Sequence, residues 1–164
     1  MSELSDTILV IGLGSPIMSD DAIGLEVADE IERMGLDGVE TRQEPVGGLD
    51  IIPLLWGYRN VIIVDAIQTR QYDPGTIMFF DPEAFDDTVG DASAHDINLA
   101  TGMRIGREVE PDMMPESVRF VAIEVEDLQT VHEGMTPKVQ EAKSSAVRAV
   151  LHLIDEFKAQ SKQD

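Results

Sequence analysis

Two uninterrupted apolar runs, Ile8–Ile11 and Val61–Val64, dominate the pattern of hydrophobic and polar positions along the chain. Runs of that length bounded by polar residues suit strands covered on both faces. After the first run come Gly12 and Gly14, then apolar positions at helical spacing: Ile23, Val27, Ile31 and Met34. They predict a helix from about Ala22 to Met34, with Ser19 or Asp20 as its cap and Gly35 at its exit. Val39–Gln43 reads as a short second strand, and Pro45-Val46-Gly47-Gly48 as a loop. Leu49–Tyr58 predicts a short helix with Asp50 at its start, Pro53 in its first turn and Trp56 packed against the sheet. The second apolar run ends in Asp65-Ala66, and Pro74-Gly75 turns the chain into Thr76–Phe80, an edge strand able to run antiparallel.

Pro82–Ala94 is acidic and poor in large apolar residues apart from Phe85 and Val89, the composition of a mobile surface loop. A helix is expected from His95 to about Arg107, a connector over Glu108–Ser117 and a strand over Val118–Val125. Thr136 and Pro137 open the last helix, as cap and first helical residue, and its stripe is Val139, Ala142, Ala146, Val150, Leu153 and Phe157. Fraying is expected over 1–6 and 158–164. The alternation of strands and helices predicts an α/β fold: a three-layer sandwich with a mostly parallel, twisted, five-stranded sheet and helices on both faces, in a single domain over 1–164.

Composition narrows the functions open to such a domain. Twelve basic against 32 acidic residues give a formal charge of −20, which argues against a nucleic-acid partner and against an anionic membrane surface. With no cysteine, disulfides, thiolate metal sites and cysteine nucleophiles are excluded. The start MSELSD lacks the regions of a signal peptide, and no apolar run approaches the ~20 residues that span a bilayer, so a cytoplasmic protein is expected.

The glycine turn first invites a dinucleotide reading. Ile17 stands where a third glycine would be, Pro16 removes an amide donor and no Walker lysine follows, so a plain tight turn is the stronger reading. Asp21 and Asp65 are different, because both follow buried strands and so fall on one rim of the sheet. Two carboxylates there repel unless a proton or a cation lies between them. His95, at the head of a helix after the acidic loop, could fold over that rim. Asp21, Asp65 and His95 then make a three-ligand site for a borderline divalent metal with open positions. Strand-end aspartates are also common helix caps and single histidines are commonly structural, so spacing alone leaves both readings standing. Asp20 reads as a cap or a support for its neighbour. Ser93 has no recognisable triad, His132 and His152 have no clustered partners, and Met113-Met114 reads as an apolar anchor.

Several blocks resemble a known family. IGLGSPIMSDDAIG at 11–24, VDAI at 64–67 with Pro74-Gly75 behind it, Ser93-Ala94-His95 before a helix, Glu124, and Gly134-Met135-Thr136-Pro137 occur in the order and spacing of the hydrogenase maturation endopeptidases. The resemblance runs from Ile8 to about Phe157. Ser15-Pro16, Ala22 and Val46 depart from that family's usual residues. The resemblance implies an endopeptidase that removes a C-terminal extension from the large-subunit precursor of a nickel–iron hydrogenase once nickel is in place. By position it implies Asp21, Asp65 and His95 as metal-binding and catalytic residues. The metal would be nickel presented by the substrate, with no organic cofactor, and a monomer suffices for the encounter. A non-catalytic nickel-binding maturation scaffold is the alternative from another class.

Overall fold

A computed structural model of the chain describes residues 3–45, 48–81 and 99–163. The two apolar runs become β1 (Ile8–Leu13) and β3 (Asn60–Ile67), buried at every position. They pair in parallel at the centre of the sheet, Leu9 opposite Val61 and Gly12 opposite Val64. With β2 (Val39–Glu44), β4 (Ile77–Phe80) and β5 (Ser117–Glu124) the order is β2-β1-β3-β5-β4. Only β4 runs antiparallel, at one edge, as the Pro74-Gly75 turn foretold. At the other edge, Glu40, Arg42 and Glu44 place charges along β2, which discourages further strand pairing.

Alternate residues of the central strands face two separate cores. Ile8, Val10, Ile62, Val64 and Ala66 pack with α1 (Ile23–Arg33) and the last helix, α4 (Pro137–Ser161). Leu9, Ile11, Val61, Ile63 and Ile67 pack with Ile52 and Leu55 of α2 (Ile52–Leu55) and Met103 of α3 (Leu99–Val109). Helices therefore cover both faces of a mostly parallel five-stranded sheet, the expected α/β sandwich.

Local departures have physical causes. The helix predicted over Leu49–Tyr58 is only a 3-10 turn at Gly48–Ile51 followed by α2, because Trp56 takes an extended backbone and Gly57 a φ of +91°. Leu55 fills the core instead, and Trp56 stays 37% exposed rather than packed on the sheet. Neither Ser19 nor Asp20 caps the first helix: 19–22 form a 3-10 turn that runs directly into α1. Thr136 occupies the cap position of α4 without making a cap bond, and the helix continues to Ser161, past the expected point of fraying. At the amino end, Ser5 pairs with the 57–59 turn, its amide donating to Gly57 at 2.7 Å. Met114 is a buried anchor, as read from the sequence. Val46, Gly47, the 82–94 loop with Phe85, Val89 and Ser93, and His95 lie outside the described residues.

Candidate metal centre at the carboxyl rim

The crossovers leave β1 and β3 in opposite directions. From β1 the chain crosses by α1 to β2 on one side, and from β2 it crosses by α2, on the other face, to β3. Such a switch opens a crevice outside the carboxyl ends of the two strands, where open α/β sheets bind ligands. Asp21 follows β1 and Asp65 lies near the end of β3, so both belong to this crevice's rim.

Two glycines determine how close the Asp21 turn comes to the strands. A Cβ on Gly24 would lie 2.4 Å from the Leu13 carbonyl oxygen and 2.6 Å from that of Val64. A Cβ on Gly12 would lie 2.1 Å from the Gly24 carbonyl oxygen. The first turn of α1 is thereby pressed onto both central strands, and the 19–22 turn touches β3. At Gly14 the same space is filled by the carbonyl of Asp21. The chain's own backbone fills the space beside these glycines where a side chain would be, so their role is the close packing of the 19–24 segment on the strands.

Asp21 is 4% exposed and Asp65 fully buried. Asp65 alternates with Val64 and Ala66, so it shares the face of Ile63 and Ile67, which is the α2 and α3 side. Its Oδ1 accepts the Ala66 amide at 2.8 Å. The structure thus brings Asp21 and Asp65 to one rim, and His95 lies outside the described residues, upstream of α3. Among the described residues no group of three or more histidine, aspartate or glutamate side chains could hold a metal ion.

Two further carboxylates are buried at this end of the sheet, and both are engaged with loops. Asp20, fully buried, accepts the amides of Glu126 at 3.0 Å and Asp127 at 2.9 Å on Oδ2. It also accepts the Thr136 amide at 2.7 Å on Oδ1 and the Thr136 hydroxyl at 2.9 Å. Glu124, 1% exposed at the end of β5, accepts the amides of Thr69 at 2.8 Å and Arg70 at 3.3 Å, together with the Thr69 hydroxyl. These acceptors hold the loops after β3 and β5 against the rim. The sequence offers no local sign of either role, since the partners stand 54 to 116 residues away.

The 125–136 loop is stitched to the Asp21 turn along its length. Met18 bridges His132 in parallel, the Ser19 amide donates to His132 at 2.9 Å and the Asp20 amide to Asp127 at 3.1 Å. Within the loop, Thr130 by hydroxyl and amide, then the Gln129 amide, hold the Asp127 carboxyl below its usual range. That contribution to stability is present above the unfolded-state value and is lost as pH falls through the folded one. His132 Nδ1 lies 3.3 Å from the Gly134 carbonyl, on an exposed turn. His152 sits on the outer face of α4, 3.1 Å from Glu156. An open groove of about 480 Å³ adjoins the turn, bordered by Pro16, Ala22, Glu26, Asp29 and Glu133, and neither Asp21 nor Asp65 lines it.

Known proteins share this architecture and sequence. A family model described as hydrogenase maturation protease matches residues 46–153. The hydrogenase 2 maturation protease of Escherichia coli is 28% identical over 155 residues, covering 91% of each chain. The structure of the hydrogenase maturating endopeptidase HybD of Escherichia coli superposes with a TM-score of 0.75 at 27% identity, covering 91% of this chain and 92% of that one. A [NiFe] hydrogenase maturation protease from Thermococcus kodakarensis shares the fold with a TM-score of 0.72 at 20% identity, over 89% of this chain and 97% of that one. With the motifs at 11–24 and 64–67 on one rim of this sheet, the match over most of its length means that the chain belongs to the hydrogenase maturation protease family.

Proposed function

We propose that this endopeptidase removes a C-terminal extension from a nickel-loaded hydrogenase large-subunit precursor, and that Asp21, Asp65 and His95 bind the metal the precursor presents. The observation that carries the reading is the place of two buried carboxylates, Asp65 near the end of β3 and Asp21 in the turn that follows β1 and packs against β3, on either side of the switch point. Oxygen donors of this type, joined by one imidazole, suit a divalent cation. A metal held there by Asp21, Asp65 and His95 would supply Lewis-acid polarisation of a scissile carbonyl. Asp21 or Asp65 then accepts the proton of the attacking water. The cysteine-free composition leaves no thiol nucleophile to compete with this route. In a second scheme Asp21 and Asp65 share a proton as a dyad and the metal serves recognition alone. The encounter takes place in the cytoplasm and needs a single copy of the chain.

The test is the mass of a purified precursor incubated with the chain, with and without nickel. A C-terminal peptide is lost only from the nickel-loaded precursor with wild type, and Asp21→Asn lowers the rate by at least ~100-fold. An intact precursor with wild type would leave the chain a scaffold rather than an enzyme. Turnover of the nickel-loaded precursor unchanged in His95→Ala removes His95 from the first scheme.

A further inference from the structure

We infer that Asp20 is a positioning residue: its carboxylate fastens the 125–136 loop and the start of α4 to the 19–22 turn, and so sets the place from which Asp21 addresses the metal. The inference rests on the metal-binding reading of Asp21. Asp20 itself is not available as a ligand, because its oxygens already receive the Glu126 and Asp127 amides and the amide and hydroxyl of Thr136. A carboxylate offers about four acceptor sites, and these donors use them.

The turn it holds is not self-supporting. Ser19 adopts a φ of +50°, and no side chain caps the 3-10 turn. A residue with a β-carbon keeps such a backbone only where the surroundings over-determine it. Those surroundings are the 125–136 loop: the Ser19 amide donates to His132, the Asp20 amide to Asp127, and the His132 amide returns to Ile17 at 2.9 Å. The Asp21 amide closes the turn on Met18 at 3.1 Å. Asp20 joins this ladder to the residue before α4, since the Thr136 hydroxyl turns away from its own helix to meet it. Asp20 thereby fixes the backbone that carries Asp21.

Amide hydrogen exchange and calorimetry with Ni²⁺ on the full chain test this. In Asp20→Asn one side-chain oxygen becomes an N–H₂ facing amide donors, so exchange at Ser19, Asp20 and Asp21 rises roughly tenfold or more while the β1 and β3 amides stay protected. Ni²⁺ affinity falls by roughly ten- to a hundred-fold, the range for losing a support of a metal ligand. Thr136→Val, which removes the hydroxyl and keeps the amide, gives the same changes to a smaller degree and remains informative where Asp20→Asn does not fold. Thr136→Ser restores wild-type behaviour. Exchange at 19–21 and Ni²⁺ affinity both unchanged in folded Asp20→Asn or Thr136→Val would overturn the assignment. A wild type that binds no Ni²⁺ yet loosens at 19–21 in Asp20→Asn supports the clamp and shows that the chain alone, without the precursor, holds no Ni²⁺.

Discussion

Asp20 and Asp21 are identical side chains one position apart, both almost wholly buried. Sequence placed the pair after a buried strand, and that was enough to bring Asp21 to the rim. It could not tell that Asp20 would receive loop amides, because the donors come from residues 126–136 and are set by folding alone. Gly24 is the other decisive position. Its missing side chain lets two strand carbonyls lie where a Cβ would be, and neither is free to move, since both are backbone of the central strands. Gly24→Ala is therefore expected to cost about 3 kcal/mol or more in urea unfolding, at the upper end of overpacking penalties, and to lower activity by displacing the 19–22 turn.

Among elements, the long helix α4 and the central strands follow their sequence patterns, because each pattern repeats over enough residues to choose a single face. Val139, Ala146, Val150, Leu153 and Phe157 of the expected stripe are all buried. The short α2 did not follow its pattern, since one turn of helix has little cohesion of its own and the backbone at Trp56 and Gly57 ended it. The turn after α2 then ties distant elements together. Arg59 meets Asp6 at 3.0 Å and Glu116 at 2.9 Å, and the Tyr58 hydroxyl donates to Glu40 on β2. Burial first, and the Glu40 carboxylate second, raise the Tyr58 pKa above its ordinary 10.0. A raised phenol pKa adds stability that is complete below the unfolded value and fades as pH climbs through the folded one. Tyr58→Phe should thus lose stability relative to wild type at about pH 8, with the gap narrowing as pH climbs above the phenol's ordinary range, as read by urea midpoints along a pH series.

At the scale of the whole molecule, the charge of −20 acts on stability rather than on fold. The acidic groups outnumber the basic ones, 32 to 12, so like-charge repulsion is the larger effect. Raising salt shortens the Debye length from about 30 Å at 0.01 M to about 8 Å at 0.15 M, so self-repulsion weakens. The melting temperature is expected to rise by several degrees across that interval, read by differential scanning calorimetry in sodium chloride, and a fall would show that attractive pairs outweigh the repulsion. The same sheet order that makes the molecule compact also sites its chemistry, because the crossover on opposite faces leaves the ends of β1 and β3 as the open crevice.

From its sequence alone the chain determined that two apolar runs would be central strands, that the sheet would be mostly parallel, and that Asp21 and Asp65 would share its carboxyl rim. Those are consequences of local periodicity, which a linear chain carries within a few residues. Only the tertiary structure decided that the glycine turn would be filled by the chain's own helix, that Trp56 would face outward, and that Asp20, Thr136 and Glu124 would hold the surrounding loops. Each of these depends on hydrogen bonds or contacts between segments far apart along the chain, whose pairing exists only once the sheet has set their distance.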